Sequence, residues 1–137
     1  MNEPVWTAVA DLELSTGRAP VDAFAAAVGG TGGDGRDRVP ATYAFTALSR
    51  PEVLGVLERM AADRKAVLVH QAQQFSYERD LEVDRSYQVA VDWRCNPDRD
   101  DRIVVRGRVR DEAGRHCQEF LADIVLFENR RADEAGS

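Results

Sequence analysis

The amino-acid sequence predicts an α+β fold in which an antiparallel sheet is covered on one face by helix. Three observations predict it. Four long segments after Lys65 alternate apolar and polar residues with period two, and hairpin-length turns join most of them. Two short segments before Lys65 repeat apolar residues at helical spacing instead. A further alternating segment opens the chain, so strands and helices are grouped rather than interleaved, which favours antiparallel pairing.

In the first segment, Trp6, Ala8, Ala10, Leu12 and Leu14 fall on one face of an extended strand, opposite Val5, Thr7, Val9 and Asp11. A helix is expected over Ala19–Val28: Pro20 suits a helix start, Gly29 a helix stop, and Val21, Phe24, Ala25 and Val28 share a face. From Gly29 to Gly35 five of seven residues are glycine, which makes an ordered backbone costly and predicts a mobile loop reaching Arg38. Ser49-Arg50-Pro51-Glu52 reads as a capping box ahead of Val53, Val56, Leu57 and Met60, so a second helix is expected from Pro51 to Ala62.

Beyond Lys65, simple alternation sets Val69, Gln71, Gln73, Phe75 and Tyr77 against Leu68, His70, Ala72, Gln74 and Ser76. Tyr87, Val89, Val91 and Trp93 form the apolar face of the next strand. After a turn over Asn96–Asp101, Ile103, Val105, Gly107 and Val109 oppose Val104, Arg106, Arg108 and Arg110. The arginine row reads as a solvated strand face or a charge-protected edge. The last strand carries Phe120, Ala122, Ile124 and Leu126 on one face.

The 137 residues suffice for one core, so a single domain is expected over residues 1–128, with a disordered tail over 129–137. A net charge of -6 repels phosphate backbones, which argues against nucleic acid as a partner. No basic segment leads into an apolar run and no stretch is long enough to span a bilayer, so a cytoplasmic protein without membrane partners is expected. Cys95 and Cys117 lack the spacing of a zinc site and are read as reduced thiols; no metal and no cofactor is expected. The glycine-rich loop does not match Gly-x-x-x-x-Gly-Lys-Ser/Thr, and His116-Cys117 has no partner that would make a nucleophile of the thiol.

Two stretches carry a family resemblance. Val39-Pro40-Ala41-Thr42-Tyr43-Ala44-Phe45 resembles the Val-Pro-Pro-Thr-aromatic lead into the central helix of MaoC-like hydratases and dehydratases, in the manner of their N-terminal, non-catalytic half-domain. His70-Gln71-Ala72-Gln73-Gln74-Phe75-Ser76-Tyr77-Glu78-Arg79-Asp80-Leu81 is similar to the family's His-Gly-Glu-Gln-x-Phe-x-Tyr-x-Arg-Pro-Leu strand. The resemblance covers the chain from about Leu12 to Phe127 and departs at Gln71, Ala72, Asp80 and Val83. It implies a hot-dog fold, a curved antiparallel sheet wrapped around a central helix that begins near Thr42. It also implies pairing with a second hot-dog chain, as a homodimer or as a heterodimer with a catalytic MaoC-type protein.

The activity implied is dehydration of 3-hydroxyacyl thioesters of coenzyme A or acyl carrier protein, or the reverse (R)-specific enoyl hydration. That chemistry needs a water held between a carboxylate and an imidazole, with donors aimed at the thioester oxygen. Catalytic members resemble one another in a Gly-Asp-x-Asn-Pro-x-His-x-Asp run. At that place this chain has Gly30-Thr31-Gly32-Gly33-Asp34-Gly35-Arg36-Asp37, without Asn-Pro or His. No catalytic residue is therefore assigned, and a partner is expected to complete the site. Substrate-binding candidates are Tyr43 bordering the channel, His70 lining it or donating to the thioester, and Gln73 bonding a pantetheine amide; each also reads as an ordinary core or strand residue. Arg36 and Arg38 are further candidates for coenzyme A phosphates. The alternatives are a hot-dog acyl thioesterase and a non-enzymatic acyl-ligand-binding or scaffold domain.

Overall fold

A computed structural model describes residues 5–27 and 39–128. Strand β1 (Thr7–Ser15) leads to helix α1 (Arg18–Ala27), a 3-10 helix (Tyr43–Ser49), helix α2 (Pro51–Asp63), and strands β2 (Ala66–Tyr77), β3 (Ser86–Asn96), β4 (Arg99–Arg110) and β5 (His116–Glu128). The expected mobile loop, with Asp34, Arg36 and Arg38, and the expected tail lie outside the described residues.

All five expected strands form one sheet in the order β1-β3-β4-β5-β2, with every neighbouring pair antiparallel. The hairpins joining β3 to β4 and β4 to β5 build its middle. The segments that connect through helix, β1 and β2, are left at the two edges. One face of the sheet carries Leu12, Leu14, Val89, Val91, Ile103, Val105, Val109, Phe120, Ala122 and Leu126, all buried. Against it α2 sets Val53, Leu57 and Ala61, which recur every four residues and so share one stripe. Val53 is 0% exposed, and burying such a side chain stabilises the fold by about 2 kcal/mol.

The expected central helix is broken in two. Arg50 is extended at φ -69, ψ 142, between the 3-10 helix and α2. The ring of Pro51 clashes with a helical residue before it, so the chain leaves the first helix at Arg50 and restarts with proline at the head of the second. The expected capping box does not form, because Arg50 rather than Ser49 is the N-cap and no side chain caps the helix. The Arg50 guanidinium lies 3.6 Å from Glu52 and donates to the Glu13 carbonyl at 3.2 Å.

Two bulges break the alternation read from the sequence. In β1 the register slips between Ala8 and Ala10, so Leu12 and Leu14 face the core while Trp6 turns to the outer face. In β2 it slips between His70 and Ala72. Leu68 and His70 pair with Leu126 and Ile124 before the slip; Gln73, Phe75 and Tyr77 pair with Ala122, Phe120 and Gln118 after it. These β5 partners all lie on the inner face. The simple alternation that placed His70 opposite Gln73 is therefore corrected: both point to the helix side.

The arginine row is also corrected. β4 is the central strand, not an edge, and Arg106 is held in an ion pair, while Arg108 and Arg110 keep the exposed face that the alternation predicts. Asp92, with a side chain 9% exposed, accepts two hydrogen bonds from Arg106 at 2.9 and 2.6 Å and one from Arg108 at 3.3 Å. The Arg106 guanidinium lies 3.9 Å from the centre of the Trp6 ring, with Arg94 at 5.1 Å. Arg110 pairs with Asp11 at 3.6 Å.

Candidate functional site

The inner face of β2 forms a shelf at the edge of the sheet, and Phe45 in the 3-10 helix is its centre. The Phe45 ring stacks on His70 at 5.4 Å and 21°, and meets Phe75 at 5.8 Å and Phe120 at 5.4 Å. Phe75 in turn stacks on Tyr77 at 5.8 Å. His70, Gln73 and Tyr77 are exposed while Phe75 is half-buried, so the shelf presents an imidazole, an amide and a phenol above an aromatic floor. Partial burial raises the Tyr77 phenol above its ordinary pKa.

The bulge brings His70 and Gln73 together, whereas Tyr43 lies elsewhere. Its ring is 6% exposed, packs edge-on against Phe24 at 5.4 Å, and its hydroxyl donates to the Ser15 carbonyl at 2.8 Å. Desolvation raises its pKa as well. Tyr43 thus ties the 3-10 helix to the end of β1. Phe45 was not singled out from the sequence, although it sits inside the Val39–Phe45 motif. Positions two apart in any helix point to different sides, so Phe45 turns to β2 and β5 while Tyr43 turns to β1.

Reactive pairings are few. Among the described residues no carboxylate is hydrogen-bonded to His70, so the shelf offers an imidazole oriented by stacking and not an acid–base dyad. Asp34 lies outside the described residues. No group of three or more potential metal ligands clusters among the described residues.

A second cleft, of about 460 Å³, opens at one end of the sheet between Arg79, Arg85, Tyr87, Asp111, Arg115 and Cys117. Two of its arginines are paired within it, Arg85 with Glu82 at 3.2 Å and Arg115 with Asp111 at 3.1 Å. Burial raises both the Tyr87 phenol and the Cys117 thiol, and the Cys117 Sγ–H donates to the Arg115 carbonyl at 3.5 Å. A thiol held protonated is a poor nucleophile. Alkylation of the native protein is therefore expected to modify Cys95, which is exposed, and to reach Cys117 only after denaturant is added. Peptide mapping checks this; modification of native Cys117 at the rate of Cys95 would show the cleft to be a reactive centre.

No protein-family model and no curated protein matches the chain. Solved structures do. The chain aligns with the C-terminally truncated HadBC (3R-hydroxyacyl-ACP dehydratase) complex of Mycobacterium tuberculosis at TM-score 0.65 and 17% identity, covering 89% of this chain and 96% of that one. The fold is a hot dog. The R-hydratase PhaJ1 of Pseudomonas aeruginosa shares the hot-dog fold at TM-score 0.55 and 19% identity, with 94% and 84% covered. So does the probable thioesterase YbaW of Escherichia coli, at TM-score 0.64 and 9% identity, with 88% and 84% covered. Such identities carry the hot-dog fold and nothing finer, because one fold hosts several chemistries.

Proposed function

We propose that the chain is an acyl-thioester-binding subunit of the hydratase/dehydratase type, with a site completed across a subunit boundary along β2. The observation that carries this reading is the shelf: His70 and Gln73 stand exposed on one face of an edge strand, above aromatic side chains. The aromatic floor suits the acyl chain, and the Gln73 amide and His70 imidazole suit the thioester or pantetheine carbonyls. Tyr43 acts at a distance, by holding the helix that presents Phe45. A partner with its own Asp and His supplies the water-activating pair, and the likenesses to a dehydratase and an R-hydratase favour this chemistry.

The lone protein is expected to bind crotonyl-CoA in a thermal-shift titration but to leave it unhydrated. Hydration is expected on adding a MaoC-type partner that carries the Asp/His motif. Gln73→Ala and His70→Ala should each weaken binding about 5- to 10-fold, the worth of one hydrogen bond, without lowering the melting temperature of the free protein. Rapid hydration by the lone chain, or binding indifferent to both substitutions, would overturn the proposal. The likeness to a probable thioesterase favours a second reading, hydrolysis by a single carboxylate; thioester hydrolysis by the lone chain, lost on Asp34→Ala, would select it.

A further inference from the structure

The aromatic floor of the shelf is closed on its inner side. The rings of Phe45, Phe75 and Phe120 meet pairwise with centres 5.8, 5.4 and 6.4 Å apart, separations at which rings touch directly and nothing fits between them. Two of the three belong to the sheet. Phe120 is 1% exposed and lies over Gly107, and Phe75 stands on β2 parallel to the Tyr77 ring, at an interplanar angle of 3°. Phe45 alone comes from the helical layer. Its 3-10 helix is buried at Ala44 and Ala47 and tied to the end of β1 by the Tyr43 hydroxyl, so the backbone that carries the ring is fixed.

β2 is the edge of the sheet, and β5, β4 and β3 lie behind it in that order. The core between helices and sheet therefore continues behind Phe120, at Val105 and Val89, both 0% exposed. A carbon chain that starts at His70 and Gln73 and runs inward under the helices meets Phe45 first. That ring covers the face of the His70 imidazole and reaches the Phe120 ring at 67°, so it spans from the edge strand to its neighbour.

Taking the shelf as the thioester site of the reading above, we propose that Phe45 is a specificity-determining residue, a plug that holds the site to short acyl groups of crotonyl length.

The magnitudes favour a plug over a gate that the ligand pushes open. Burying a methylene is worth about fourfold in affinity, so the four that separate octanoyl from butyryl would be worth about 200-fold if all were buried. Reaching the core requires the Phe45 ring to leave it, which forfeits roughly 10- to 150-fold, and its contacts with Phe75 and Phe120 are lost besides. The two nearly cancel. The other route for a longer chain runs outward along Phe75 and Tyr77, where Tyr77 is 43% exposed and the chain keeps one side in water. Neither route rewards length.

The test measures butyryl-CoA and octanoyl-CoA binding by calorimetry to the wild-type chain, Phe45→Ala and Phe45→Leu. The wild type is expected to bind the two ligands within about threefold of each other. Phe45→Ala leaves an apolar space of the kind that stays dry and accepts a benzene-sized guest, so its preference for octanoyl over butyryl should rise about tenfold or more. Phe45→Leu removes less and keeps more of the packing; there the rise should be about threefold. The ratio is the readout because the lost stack on His70, or a loss of stability, weakens both ligands alike. A wild-type preference for octanoyl of about 100-fold, or a ratio that neither variant changes, would overturn the plug. Toluene, followed by ligand-observed NMR, tests the same space without a thioester. Uptake by Phe45→Ala and not by the wild type is expected, and uptake no greater in the variant overturns the plug. If neither acyl-CoA binds any of the three chains while Phe45→Ala takes up toluene, the thioester reading falls and the plug stands.

Discussion

Gly107→Ala is expected to destabilise the protein by about 3 kcal/mol or more, a large share of the 5–15 kcal/mol typical of a whole domain. Gly107 of β4 lies directly across from Phe120 of β5. A methyl group at Gly107 would stand 2.0 Å from Cζ of the Phe120 ring and 2.3 and 2.6 Å from its Cε atoms, so the ring must leave. It has nowhere to go, being 1% exposed and packed against Phe45 and Phe75. The missing side chain at Gly107 is thus what lets an aromatic ring lie flat on the sheet and floor the shelf beneath His70. Urea denaturation measures the loss. Phe120→Leu removes all three clashing atoms, so the double variant should lose about 1–2 kcal/mol less than the sum of the single ones. Strict additivity would mean that the contact is not the cause.

Asp92→Ala should cost about 3 kcal/mol, although Asp92 is nowhere near the shelf. Its carboxylate, with a side chain 9% exposed, is bound bidentately by Arg106, whose own side chain is 18% exposed; both are well shielded from solvent. The bidentate bond to Asp92 raises the Arg106 pKa; a guanidinium is basic enough to keep its charge without that bond, so removing the partner leaves the charge poorly solvated. Truncating one member of a shielded ion pair costs far more than the pair is worth. The double variant Asp92→Ala/Arg106→Met should therefore recover most of the loss in urea denaturation. If the double variant is no more stable than Asp92→Ala, stranded charge is not the cause.

Much of the candidate site was legible as residue types and little of it as geometry. His70 and Gln73 stand out in the sequence as polar groups on an uncharged strand, and the structure sets them on one exposed face. The alternation put them on opposite faces, because the run from Val67 to Phe75 has apolar and polar residues at both parities and nothing in it marks a phase change. Phe45 escaped attention because its role depends on three rings contributed by β2 and β5. Nothing in the sequence marks Asp92, whose carboxylate is bound by Arg106 under the Trp6 ring only once the strands are paired.

The sequence by itself determined the five strands, the two flanking helices and the antiparallel class, since period-two and period-3.6 patterns are local and the turns that separate them are written in glycine, proline and aspartate. Even the break at Arg50 was implicit in Pro51. Tertiary structure alone decided which way Trp6, Gln73, Phe75 and Tyr77 face. A bulge is a mismatch in residue count between one strand and its neighbour, so it exists only once the two are paired, and no pattern within either strand records it.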